Sequence, residues 1–304
     1  MLKIPRYFRA KSWILTAIFA LSVSVVGLSA SAGASPAQQS ITLSPASTPI
    51  SEAPGSTYSG SLTVLNNSDT PATVSVYTQP YYVKGVEYTP SFTQLPGTTN
   101  ASQWVNLSKA TLQIPATQST SVPYTLTIPA NTAPGGYYAV IFVQTQQQKA
   151  NAGVQASDRI GNILYITAQG QTHTGGSVIS TSLPHFSMAS SLPLSMEVSN
   201  TGGVHYVTTA NITSKNIYGQ SVFSASLQRY VLPQTIRKIS TDWKTPAFGI
   251  FHISREATVA GQSESLPTQW IIVVHPWVLI VFVLLVLLLV AAIVFPKYKK
   301  RKAR

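Results

Sequence analysis

The chain has 304 residues, 20 Lys and Arg against 8 Asp and Glu, and no cysteine. Its net charge of +12 is concentrated at the two ends: four cations lie within the first eleven residues, six follow Phe295, and residues 35–276 carry ten cations with all eight acids. That near-neutral middle excludes a stripe for nucleic-acid phosphates, and the missing cysteine excludes disulfides and thiolate metal sites.

The first element is a secretory leader. Lys3, Arg6, Arg9 and Lys11 form a basic start, Trp13 to Leu28 form an apolar run, and Ala30, Ala32 and Ala34 give small residues at alternating positions. This order predicts a signal peptide over residues 1–34, cleaved after Ala34, with Ala32 as the second choice. An uncleaved N-terminal anchor is the alternative.

Strand patterns follow. Val122, Tyr124, Leu126 and Ile128 alternate with Pro123, Thr125 and Thr127, and Leu192, Leu194, Met196 and Val198 alternate with Pro193, Ser195, Glu197 and Ser199. Period-two alternation places one set inward and the other in water. Further strands are predicted over Ser59 to Leu65, Ala72 to Tyr77, Tyr137 to Val143, Ile160 to Ala168, Val204 to Ile212, Val222 to Leu227 and Gln269 to Val274. Turn residues separate them at Asn66-Asn67-Ser68-Asp69, Ala133-Pro134-Gly135-Gly136, Asn200-Thr201-Gly202-Gly203 and Tyr218-Gly219-Gln220. A short internal repeat pairs Leu62 to Asn67 with Met196 to Thr201: each is an apolar strand that closes in an Asn turn and returns as a partner. The fold class is therefore all-β, with two tandem immunoglobulin-like β-sandwich domains over 39–170 and 173–275. Gln144 to Ser157, rich in Gln, Ala and Asn, reads as a mobile loop inside the first.

The last element is an uninterrupted apolar run over 277–295. At roughly 1.5 Å per residue it makes a rod of about 28 Å, close to the hydrocarbon thickness of a bilayer. Trp277 suits the headgroup layer, with Trp270 bracketing the same boundary. Lys297, Lys299, Lys300, Arg301, Lys302 and Arg304 form a basic tail over 296–304 that stays in the cytoplasm. The expected placement is single-pass type I in a cell membrane, with the sandwiches outside.

Chemistry-bearing patterns are sparse. His173, His185, His205, His252 and His275 show no ligand spacing, and Glu52, Glu87, Glu197, Glu256, Asp158 and Asp242 are not paired by sequence. No nucleophile elbow, P-loop or dinucleotide fingerprint occurs. No enzyme activity, cofactor or metal is expected. Leu266-Pro267-Thr268-Gln269-Trp270 lacks the Thr-Gly pair of a sortase signal, so the helix should be retained. Asn66, Asn100, Asn106 and Asn211 stand in N-x-S/T triplets expected to arise by chance in a Ser/Thr-rich chain. One cluster is a candidate ligand site: Tyr77, Tyr81, Tyr82 and Tyr88 crowd around Lys84-Gly85, and tyrosine faces suit sugar rings. The alternative is a hairpin whose tyrosines fill a core. Trp243 with Phe248 and Phe251 reads as core of the second domain.

The order of features resembles the WxL-interacting proteins of Gram-positive cell surfaces. The stretches that carry the resemblance are Pro134 to Val140, Arg159 to Ile166, Val198 to His205, and Tyr230-Val231-Leu232-Pro233 with Arg237 and Trp243. The chain departs from the family pattern at Ser40 to Pro45, where an acidic, aromatic-rich opening is expected. The resemblance implies a peptidoglycan-binding first domain, a host-binding second domain, and adhesion or scaffolding without catalysis. Expected partners are a cell-wall polymer or a surface protein, and the lipid bilayer through the C-terminal helix. Two rivals stand beside this reading. One is a membrane-tethered assembly factor for surface or pilus subunits, with Arg159 and Lys109 as first-domain cations for a subunit carboxylate. The other is a cell-wall-acting hydrolase.

Overall fold

A computed structural model describes residues 40–93, 99–146, 157–179 and 183–301, without side chains for 294–301. The expected signal peptide lies outside these residues, as do Lys302 and Arg304 and most of the Gln144 to Ser157 loop.

Among the described residues, eleven strands precede residue 170. They are β1 (Ile41–Ser44), β2 (Ser47–Glu52), β3 (Thr57–Asn66), β4 (Ala72–Pro80), β5 (Tyr82–Lys84), β6 (Thr89–Ser91), β7 (Val105–Leu107), β8 (Thr111–Ile114), β9 (Ser119–Thr127), β10 (Gly135–Thr145) and β11 (Arg159–Ala168). Two sheets, ordered β1-β3-β9-β7 and β2-β11-β10-β4-β8, close on one core. Leu62 and Val64 from β3 and Leu126 from β9 meet Ile141 from β10 and Leu164 and Ile166 from β11, all fully buried. Burying side chains of this size is worth roughly 1.5–3 kcal/mol each, so packing alone can hold a disulfide-free sandwich.

The second sandwich uses β12 (Gly176–Ile179), β13 (Phe186–Ser187), β14 (Ser191–Asn200), β15 (Tyr206–Asn216), β16 (Ser221–Val231), β17 (Thr235–Lys244), β18 (Phe248–Val259), β19 (Gln262–Ser265) and β20 (Gln269–Val274). Its sheets run β12-β14-β17 and β13-β20-β18-β15-β16, with β19 on β18. Leu194, Met196, Trp243, Ile253, Ile271 and Val273 form its core. Trp243 packs edge-on against Phe251 at 5.1 Å. Phe248 departs from expectation: it is 67% exposed, because it points to the opposite face of β18 from Phe251. Arg255 is also buried in this core, donating to the Ser195 carbonyl at 2.8 Å and to Gln269 Oε1 at 2.7 Å.

The internal repeat has a structural meaning. Asn66 and Asn200 end β3 and β14 and are both buried. In each, the side-chain oxygen accepts from the backbone N–H two residues on, Ser68 at 3.0 Å and Gly202 at 2.8 Å. In each, the amide nitrogen donates to the carbonyl four residues on, Thr70 at 2.8 Å and Val204 at 2.9 Å. It also donates to a distant strand end, Ile114 or Val231. One amide closes the turn and pins it to a strand far away in sequence.

Helix α1 (Pro276–Arg301) completes the chain. Proline suits the first turn, where its missing N–H needs no partner. Through Ile293 the helix is apolar, and its side chains are not buried against the sandwiches. Its 26 residues extend for about 39 Å. Trp277 stands in its first turn and is exposed. Lys297, Lys299, Lys300 and Arg301 continue its backbone.

Candidate functional site

Strand β10 is buried on both faces, which is why Tyr137 to Val143 reads as a nearly continuous apolar run. Ala139, Ile141 and Val143 enter the first core. Tyr138, Val140 and Phe142 face outward and are covered by a second cluster that includes Tyr81, Tyr88, Tyr165, Tyr230 and Leu232. Tyr230 and Leu232 belong to the second sandwich. The cluster is therefore an aromatic joint between the two domains.

The joint is geometrically specific. The Tyr165 and Tyr230 rings stack with centroids 3.9 Å apart and planes 13° from parallel. His205 lies 5.3 Å from Tyr165 and 5.7 Å from Tyr230, and its Nδ1 is 3.2 Å from the Tyr138 hydroxyl. Gly136 lets this approach happen: a Cβ there would stand 2.3 Å from the Tyr138 hydroxyl. Its N–H donates to the Gly203 carbonyl at 3.0 Å, adding a backbone link across the joint. Burial pushes the Tyr138 and Tyr165 hydroxyls up and the His205 imidazole down to about 4. All three groups are thus held neutral near pH 7.

The β5–β6 hairpin forms the second half of the joint. Gly85 turns it with φ +64°, a conformation that favours glycine. The hairpin delivers Tyr88 to β17. The Tyr88 hydroxyl accepts from the Leu232 N–H at 2.8 Å and donates to the Thr235 hydroxyl, which itself donates to the Leu232 carbonyl at 2.8 Å. The Arg237 guanidinium lies 4.4 Å over the Tyr88 ring and donates to the Tyr230 carbonyl at 2.6 Å. The Lys238 N–H donates to the Val86 carbonyl at 2.8 Å, and its ammonium pairs with Glu87 at 2.8 Å.

All four candidate tyrosines are brought near this region, but not as a sugar platform. Tyr81, Tyr82 and Tyr88 are 7%, 9% and 7% exposed. Tyr81 and Tyr88 are spent on the joint, and Tyr82 closes its own hairpin by donating to the Thr93 carbonyl. Tyr77 is half-buried, tilted on Phe142 at 5.6 Å and bonded to Gln144 at 2.7 Å. The burial of Tyr81, Tyr82 and Tyr88 leaves Tyr77 as the one ring of the four that is partly exposed. Arg159 and Lys109 do not meet in a cleft either. Arg159 lies over Phe142 at 4.4 Å, and Lys109 is on the loop before β8. Asp158 accepts from the Ser40 N–H and hydroxyl, which lowers its pKa, and Glu256 accepts from Ser263. Among the described residues no group of three or more His, Asp and Glu could hold a metal ion.

The open surface is elsewhere. Strand β16 is an outer strand of the six-stranded sheet and, among the described residues, pairs only with β15. Its residues are half-buried or exposed until Val231, and Arg229 is its only charge. Among the described residues, no bond outside the ladder reaches the backbone of Ser224 to Leu227. Long, uncharged edges are templates for another strand, and proteins that avoid pairing usually place Lys, Pro or a bulge there. The β15–β16 ladder does shift register at Ser214 and Lys215, but only beside the turn.

No protein-family model matches the chain, and no curated protein matches it. Solved structures do. The chain is similar to the class 5 fimbriae chaperone CfaA, at 10% identity over 77% of this chain and 99% of that one, with a TM-score of 0.41. It is also similar to the E. coli chaperone DraB (14% identity, 75% and 98% covered, TM-score 0.36) and to the Pseudomonas aeruginosa CupB2 chaperone (10%, 75% and 99%, TM-score 0.36).

The sequence displays the tyrosines without their partners. Tyr138, Tyr165, His205, Tyr230 and Arg237 all fall in the stretches that carry the WxL-interacting resemblance, and they meet here at one place. The signal for a two-sided strand was the loss of alternation in β10. The β16 edge gave a weaker signal: Ser224, Ala225 and Ser226 sit mid-strand where a central strand carries large residues.

Proposed function

We propose that the protein is a non-catalytic, membrane-anchored binding protein that takes an extended segment of another surface protein as an added strand along β16. The observation that carries this reading is the open edge of β16, uncharged from Ser221 to Gln228. Main-chain hydrogen bonds along such an edge supply affinity, and side chains alternating above and below it supply selectivity. Burial of Tyr81, Tyr82 and Tyr88 favours a protein partner over direct stacking on wall glycan. Helix α1 anchors the chain, with its basic tail in the cytoplasm and both sandwiches outside. Kinship with the WxL-interacting proteins belongs to the same proposal, supported by convergence of the resembling stretches on the joint.

A photo-crosslinking residue at Ser226 in intact cells tests the reading. It should capture a discrete secreted or wall-associated protein, and Ser224→Lys with Ser226→Lys on the full chain should abolish that capture while the protein stays folded. Capture that survives both lysines sinks strand addition. An assembly factor for surface subunits would use the same edge but release its cargo. A pulse-chase of the captured protein separates the two: a stable adduct partner marks a scaffold, and one that chases into the wall marks an assembly factor.

A further inference from the structure

We infer that the second sandwich lies down on the bilayer, seating the outer face of β13, β18 and β20 in the lipid headgroup layer. The inference rests on α1 spanning the membrane.

The face is apolar in registered rows. Phe186, Ile272 and Ile250 stand side by side on β13, β20 and β18. They are 52%, 45% and 45% exposed. The row nearer the helix pairs Phe248 with Val274, and the row beyond pairs Trp270 with His252, their rings 4.7 Å apart. His252 is in turn opposite Lys215. Farther along β18, the same face carries Ser254 and then Glu256, the only carboxylate on β15, β18 or β20. The gradient runs from phenylalanine and isoleucine beside the helix, through Trp270, His252 and Lys215, to serine and glutamate. That is the order in which a bilayer interface passes from acyl chains through headgroups to water. An apolar patch of this kind on a soluble face marks an interaction surface.

The connection to α1 selects lipid as the occupant. One residue, His275, separates β20 from the helix. It is tied down: its N–H donates to the Ala247 carbonyl at 2.8 Å, its Nε2 is 2.8 Å from the Thr245 hydroxyl, and its carbonyl accepts from Val278 at 3.0 Å. There is no slack linker. Ile272 is four residues from the start of the helix, so it stays within about 13 Å of it at a strand rise of roughly 3.3 Å per residue. The polar layer of a bilayer is about 6 Å deep on each side, so the rows enter it when the sandwich and α1 tilt together.

The chain has no cysteine, so single-cysteine variants label cleanly. The full chain is reconstituted, one copy per nanodisc, in equal parts of phosphatidylcholine and phosphatidylglycerol. Bimane is placed at Ile272→Cys, Ile250→Cys, Leu285→Cys in α1 and Ser61→Cys on β3. Lipids with a doxyl quencher high on the acyl chain should remove about half of the signal at 272 and 250, as at 285, and leave 61 unchanged. Quenching at 285 without quenching at 272 and 250 overturns the inference and leaves the anchor intact. No quenching at 285 means the anchor itself is wrong. In vesicles holding many copies of the unlabelled Ile272→Cys variant, rapid disulfide formation between copies would assign the face to a second copy and also overturn the inference. Ile250→Ser with Ile272→Ser should keep the thermal transition and lose quenching at a bimane on Phe186→Cys.

Discussion

Tyr165 and Tyr230 stack nearly parallel, 3.9 Å between ring centroids, although they belong to different sandwiches. Stacked aromatic pairs contribute about 0.5–1.5 kcal/mol beyond the area they bury. Tyr230→Ala removes both the stack and apolar contact with His205. It should cost about 2 kcal/mol and split one cooperative calorimetric transition into two, as each domain melts alone. A single unshifted transition would contradict the joint.

His205 makes the joint sensitive to acid. Burial lowers its imidazole to about 4, whereas an unperturbed histidine titrates near 6.5. Between those values the unfolded chain binds a proton that the folded chain refuses. Stability therefore rises with pH across that window and is lost as pH falls from about 6.5 towards 4. The loss should be on the order of 2 kcal/mol, less than the full shift implies because the ring is only partly buried. Denaturant titrations at pH 7 and 4.5 should show it, and His205→Phe should reduce the difference.

The hairpin contact is held by a hydroxyl more than by an ion pair. Glu87 and Lys238 are exposed enough that Glu87→Gln should leave the denaturation midpoint almost unmoved. Tyr88→Phe strips the partner from the Leu232 N–H and should cost about 1–2 kcal/mol. Equal losses from the two variants would refute this ordering.

Asn66 and Asn200 should be intolerant of the smallest change. Asn66→Asp or Asn200→Asp keeps the acceptor and shape but loses the NH2 that serves two carbonyls. Each should lower stability by about 2–3 kcal/mol, read from denaturation midpoints. Because the two sites lie in separate cores, the double variant should show additive loss.

Replacing the tail cations Lys297, Lys299, Lys300, Arg301, Lys302 and Arg304 with Gln should loosen or invert topology. Protease added to intact cells reads this directly. Unaltered accessibility of the sandwiches would count against the charge-set orientation.

The architecture was legible wherever residues alternate cleanly. Val122 to Ile128 and Leu192 to Val198 have the expected faces buried, and Gln269 to Val274 forms a strand as expected. Strands β17 and β18 were harder to see. β17 carries Arg237, Lys238 and Asp242, and β18 places Arg255 on its buried face, so local polarity hides strands that distant partners stabilise. The four tyrosines show the same boundary for sites. Their spacing gives a hairpin, but Tyr88 is explained only by Leu232 and Thr235, which stand 144 and 147 residues away. Sequence spacing cannot register such a pairing. The loss of alternation in β10 is visible in the sequence and fits a strand covered on both faces, but it does not name what covers the second.

The strand order of the larger second sheet carries a mechanical consequence. β16 and β20 are rungs of one ladder, linked through β15 and β18, and β20 runs into α1 across a single fastened residue. Under the proposed strand addition, a tug on a partner at the outer rung would reach α1 as shear across three hydrogen-bonded seams, without crossing the aromatic contact or the first sandwich. The distal domain is thereby spared the load and is left free to be carried, like a head on a braced neck.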